Sequence, residues 1–155
     1  MTVFSPDATP EFNAWLDEEM KQLARDTKAA LGTNLVALLL GGGYGRGEGG
    51  IVTLDGQQRP YNDLDLTIVV EKVDGVVAAL EPISHKYAER LGIEVDFSRP
   101  LTPAAVKNWP HTLMWHELAL GHKVFSGPDD YLDNQAPKYI WTMPDLQEGS
   151  RLLLN

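Results

Sequence analysis

Seven of the 14 glycines in this chain fall within ten consecutive positions, Gly41-Gly42-Gly43-Tyr44-Gly45-Arg46-Gly47-Glu48-Gly49-Gly50. They follow directly on Leu35-Val36-Ala37-Leu38-Leu39-Leu40. An unbroken apolar run of that length reads as a strand covered on both faces, within an Asn34 to Leu40 segment. Glycine at such density after it means that the backbone bends sharply or comes very close to something. Two well-known phosphate loops start this way, and neither fits. Gly45-x-Gly47-x-x-Gly50 matches the dinucleotide pattern, but that pattern needs a helix next, and Ile51-Val52-Thr53-Leu54-Asp55-Gly56 reads as strand and turn. No Gly-Lys-Ser/Thr follows, which excludes the P-loop.

The rest of the chain alternates helix and strand. Phe12, Trp15, Leu16, Met20 and Leu23 recur at helical spacing over Glu11 to Leu31, with Gly32 as the stop. Residues 1–10 read as an irregular lead-in. Leu64 to Val70 is a second buried strand, and Gly75 to Leu91 is helical with Pro82 as a break or kink. Ile93 to Phe97 alternates, placing Ile93, Val95 and Phe97 on one face and Glu94 and Asp96 on the other. Pro100 and Pro103 mark a loop, Thr112 to Gly121 a helix, and Ser126-Gly127-Pro128-Asp129 a turn. The segment Leu146 to Asn155 reads as an apolar helical start without a cap. The organisation expected is one domain over residues 1–155, with its core at about 11–125 and with 126–155 as the start of a helical region that continues elsewhere.

Asp63-Leu64-Asp65 carries the chemistry. Residues two apart on a strand share a face, with alpha carbons roughly 6–7 Å apart. Two carboxylates side by side, about 4 Å apart, repel by roughly 4 kcal/mol at an intermediate dielectric. No Lys or Arg adjoins them, so a divalent ion is the economical counter-charge, and hard oxygen ligands favour magnesium or manganese. Asp96 adds a third carboxylate from another strand, where Glu94 on the same face is the alternative ligand or a merely solvated group. Three such groups can hold two ions about 3.5–4 Å apart, the spacing of in-line phosphoryl and nucleotidyl displacement. The glycine amides can close on phosphate oxygens, and Arg46 adds a cationic fork that pairs equally well with Glu48.

In this order, Leu40-Gly41-Gly42-Gly43-Tyr44-Gly45-Arg46-Gly47-Glu48, Asn62-Asp63-Leu64-Asp65-Leu66 and Val95-Asp96-Phe97, the chain resembles the DNA polymerase beta-type nucleotidyltransferase superfamily. The likeness spans roughly residues 35–97. It implies an α/β (α+β) fold, a small mixed, twisted sheet flanked by helices. It matches Gly42 and Gly43 to the family's glycine pair, Asp63 and Asp65 to its metal carboxylates, and Asp96 to its third acid. Gly43 stands where the family more often has Ser, and Ile51 to Tyr61 is a hairpin inserted before Asp63. The activity implied is transfer of a nucleoside monophosphate from an NTP, with ATP expected, to a hydroxyl of a small molecule or a protein, releasing pyrophosphate. The alternative is a weakly active module of this fold that binds nucleotide or a protein partner.

Other classes are excluded or disfavoured. The absence of cysteine removes disulfides, thiolate catalysis and sulfur-based zinc sites. A net charge of −9 disfavours nucleic acid as a bulk partner. No stretch reads as a membrane span or a signal peptide, and the expected location is the cytoplasm. His116-Glu117 is not a zinc-protease motif, because position 120 is Leu and His122 is out of phase. The histidines read as surface or core-edge groups, and Trp109, Trp115 and Trp141 as packing residues.

Overall fold

The computed structural model describes residues 1–145. The reading of Leu146 to Asn155 therefore lies outside the described residues. Helix α1 spans Pro10–Leu31. Thr9 caps it by accepting from the Phe12 amide at 3.2 Å, and Pro10 takes the first helical position, where no N–H is needed. Gly32 ends it with φ at 59°. β1 follows at Leu35–Leu40. The glycine segment then forms a short helix, α2, over Gly42–Arg46, where the sequence suggested only a bend.

β2 (Ile51–Leu54) and β3 (Gln57–Pro60) make the expected hairpin. Its tip is Asp55-Gly56, both at positive φ, as a tight two-residue connection requires. β4 is Leu64–Val70, α3 is Val76–Leu91 and β5 is Val95–Phe97. Pro82 does not break α3. Both Pro82 and Ala78, whose carbonyl loses its amide partner, are exposed, so water can satisfy that carbonyl. α4 (Pro103–Lys107) stands where the prolines suggest a loop. Here Pro103 starts a helix capped by Thr102. α5 (Leu113–Leu120) begins at the Thr112 cap, and β6 (Lys123–Ser126) and α6 (Tyr131–Gln135) follow. Neither β6 nor α6 was foreseen.

The four-stranded sheet has the order β5-β4-β1-β6. β1 pairs antiparallel with β4 and β6, whereas β4 and β5 are parallel, joined by the α3 crossover. The fold is thus the small mixed sheet flanked by helices that the resemblance implied. Both faces of β1 are buried, which explains its unbroken apolar run. Leu38, Leu40, Leu64, Leu66 and Ile68 pack with α1 and α3 and with Phe4 from the irregular lead-in. Ala37, Leu39 and Val69 pack on the other face with Val106, Trp109, Leu118, Leu132 and Ile140. That second face is covered by the short elements after β5. It is also the face to which alternation along β4 assigns Asp65, since Leu64 and Leu66 are buried on the first. Among the described residues, no helix is long and apolar enough to cross a membrane.

Candidate active site

The parallel pairing of β4 with β5 sets Leu64 opposite Val95 and Asp65 opposite Asp96. The Leu64 amide donates to the Glu94 carbonyl at 3.0 Å, carrying the pairing one step further back toward Asp63. Val95 is buried, so Glu94 and Asp96 share the opposite, exposed face. Four acids thus gather at one corner of the sheet. Asp63, Glu94 and Asp96 each offer a carboxylate oxygen within 4.8 Å of the others. Asp65 stands beside Asp96 and feels the same field. Its carboxyl is pushed above the usual range, first by desolvation and then by the charges of Asp96 and Asp63, against a weaker opposing pull from Arg46.

The glycine turn leans directly on these acids. The Gly41 amide donates to the Asp65 carbonyl at 2.8 Å. Gly42 has φ of 61°, and a Cβ there would fall on the Asp65 carboxylate. A Cβ on Gly41 would lie 2.7 Å from Leu118 Cδ1, and one on Gly45 would run into the Leu40 carbonyl. Gly43 is different. Its φ is ordinary, and a Cβ would sit 3.4 Å from Gly49 Cα, so space does not demand glycine there. The first amides of α2 have no intrahelical partner and receive no side-chain cap.

Tyr44 locks the turn to the approach of β4. It is fully buried, and its hydroxyl donates to the Gly50 carbonyl at 2.6 Å while accepting from the amides of Tyr61 (2.9 Å) and Asn62 (3.0 Å). Asn62 Oδ1 accepts from the Gly50 amide at 2.6 Å. This knot fixes the residues immediately before Asp63. Nothing in the sequence marked Tyr44 for it, because a tyrosine between glycines has no periodic partner. Arg46 is exposed, and its Nε donates to Glu48 Oε2 at 3.2 Å. Its stem packs on Gly121, where a Cβ would lie 2.5 Å from Arg46 Cγ.

Gly42, Arg46, Asp65 and Asp96 line one end of a groove of about 810 Å³. Phe97, Leu113, Met114 and Leu118 give it an apolar wall, and Arg99 and Glu117 stand among its polar groups. His116 is buried against the Ile140 carbonyl at 2.7 Å, and Trp109 stacks on Trp115 at 4.3 Å, so these serve as packing groups.

No protein-family model matches this chain, and no curated protein matches it in sequence. Solved structures do match it in shape. Spectinomycin adenyltransferase AAD(9) from Enterococcus faecialis, with ATP and spectinomycin, superposes with a TM-score of 0.56 at 15% identity, over 88% of this chain and 64% of that one. A chain of the tri-AMPylated Shewanella oneidensis HEPN toxin in complex with MNT antitoxin gives 0.51 at 15% identity, over 89% and 94%. The chain shares its fold with these structures. A toxin–antitoxin structure with AMP-PNP agrees, with a TM-score of 0.50 at 18% identity over 86% of this chain and 94% of that one. At these identities the likeness is one of fold alone.

Proposed function

We propose that the chain transfers a nucleoside monophosphate from an NTP, ATP in the first instance, to an acceptor hydroxyl and releases pyrophosphate. The observation that carries this reading is the corner where Asp63, Glu94 and Asp96 converge beside Asp65, with Gly42 pressed against the Asp65 carboxylate. Like charges so close call for a counter-charge, and an all-carboxylate donor set is the chemistry of a hard divalent ion. Asp63 and Asp96, with Glu94 from the same cluster and Asp65 beside it, would hold magnesium or manganese, which would neutralise the triphosphate and acidify the acceptor hydroxyl.

The chain's own groups do the rest. The glycine turn, with Gly42 and Gly43 at its start, brings backbone amides to the phosphate oxygens, and Arg46 lends positive charge at the groove mouth. The apolar wall around Phe97 and Met114 seats the nucleoside. In the reaction the acceptor oxygen forms a bond to the alpha phosphorus. The bond from that phosphorus to the bridging oxygen breaks, and pyrophosphate leaves with the electron pair. The hydroxyl proton passes to a carboxylate, with Asp96 best placed to receive it.

The similar structures suggest two kinds of acceptor. One was solved with ATP and spectinomycin, and the other contains an AMPylated toxin. The acceptor of this chain therefore belongs to the small molecules or to a protein partner, and net charge of −9 argues against nucleic acid. The test is release of pyrophosphate from ATP with manganese, with and without candidate acceptors. Release that disappears in Asp65→Asn supports the reading. Clear nucleotide binding with no turnover under any acceptor would leave a nucleotide-binding module instead.

A further inference from the structure

Lys123 is half-buried at the start of β6, and among the described residues it forms no ion pair. Its ammonium donates to two backbone carbonyls, Tyr44 at 3.0 Å and Gly45 at 2.8 Å. Both belong to the carbonyl end of α2. Its ammonium also lies 5.5 Å from the centroid of the Phe4 ring. Burial depresses its basicity, with no carboxylate to offset that. In a chain with 22 acidic residues, a lysine left without a carboxylate and turned on main-chain oxygens is costly unless those oxygens must be held.

The fold shows why they must. β6 pairs with β1 so that Lys123 lies opposite Leu40, the last residue before the glycine turn. The turn is then tied at two ends. Its first residues hang on Asp65 through the Gly41 amide, and its last carbonyls hang on Lys123. The lead-in supplies the floor, with the Phe4 carbonyl accepting from the Gly49 amide at 2.9 Å.

The geometry points to Lys123 as a positioning residue of the nucleotide site: by clamping the Tyr44 and Gly45 carbonyls it holds the glycine turn against Asp65, in the place where a triphosphate is bound. This rests on the reading of the turn as the phosphate cradle. Lys123 itself touches no substrate.

The test compares the full chain with Lys123→Met, which keeps the stem but loses both hydrogen bonds, and with Lys123→Arg, which keeps the charge. Hydrogen exchange of the amides of residues 42–50 should quicken by about tenfold in the methionine variant, the scale of losing charged hydrogen bonds. Affinity for manganese–ATP should fall by about tenfold, with kcat at saturating nucleotide within about twofold of wild type and the arginine variant recovering most of the loss. Manganese affinity without nucleotide should not change. Unchanged exchange in the turn, or faster exchange with unchanged ATP affinity, would overturn the inference. A wild-type chain that binds no nucleotide would instead remove the functional reading beneath it. Should the methionine variant not fold, Lys123→Gln carries the same comparison.

Discussion

Asp65 is the residue on which stability and chemistry pull in opposite directions. Its carboxyl titrates above the usual range because burial and the charges of Asp96 and Asp63 disfavour its ionised form. A group whose folded-state pKa is raised binds its proton more tightly in the folded chain. The metal-free protein therefore loses stability as pH rises from the ordinary carboxylate value through the raised one. Asp65→Asn should remove that slope, so that the metal-free variant melts no lower than wild type at pH 7 and the gap between them closes in acid. The same substitution should cut turnover on the order of a hundredfold or more, the scale of losing one preorganised charge partner. A variant that keeps its activity would contradict the assigned role. The glycine pair divides similarly. Gly42→Ala meets both a positive φ and the Asp65 carboxylate, and should cost about 1–3 kcal/mol in denaturant melts as well as most nucleotide affinity. Gly43→Ser has room, and should fold like wild type and bind ATP at least as tightly. A collapse of Gly43→Ser in the same melts would count against this account of the turn.

Among the elements, α1 and α3 are joined by a polar staple on their outer side. Asp26 accepts from Lys86 Nζ and from the Tyr87 hydroxyl, each at 2.7 Å, and Arg90 holds Glu19. These bonds, from Lys86 first and then Tyr87, hold the Asp26 carboxyl down at about 2. Its contribution is complete above the unfolded value near 3.8 and fades as pH falls toward about 2. Asp26→Asn should therefore melt below wild type at neutral pH, with the difference shrinking steadily in acid. A difference independent of pH would mean that the staple works by shape and not by charge. Elements of this kind separate what the sequence discloses from what it conceals. The spacing from Phe12 to Leu23, the run Leu35 to Leu40 and the alternation at Ile93 to Phe97 wrote α1, β1 and β5 into the chain, since each is a single pattern set against one buried surface. The acids of the candidate site were legible for the same reason: the flanking Leu64, Leu66 and Val95 fixed the face. β6 was not legible, because its four residues are all half-covered and carry no alternation. α4 hid behind Pro103, which reads as a breaker unless it happens to open a helix. Tyr44 and Lys123 act on main-chain groups distant in sequence, and side-chain periodicity records no such bonds.

At the scale of the molecule, the acidic corner is opposed, among the described residues, by only a weak pull from Arg46 on Asp65. Manganese or magnesium should thus raise the melting temperature, and chelation should lower it. At a hundredfold excess over the dissociation constant the gain is about 2.7 kcal/mol. Asp65→Asn should blunt this shift, whereas Asp26→Asn should not. No shift with millimolar manganese would remove the metal from the account. The sheet also carries both hydrophobic bodies on β1 and β4, so the corner stands on strands anchored from two sides. Parallel alignment of β4 with β5 then limits how such a chain can vary in length. The tip of the β2–β3 hairpin, at Asp55-Gly56, can accept extra residues without moving any acid. A single residue inserted within β5, between Val95 and Asp96, would slip the frame: Asp96 would turn into the packed interior, and the two halves of the acid cluster would part company though no acid had been lost.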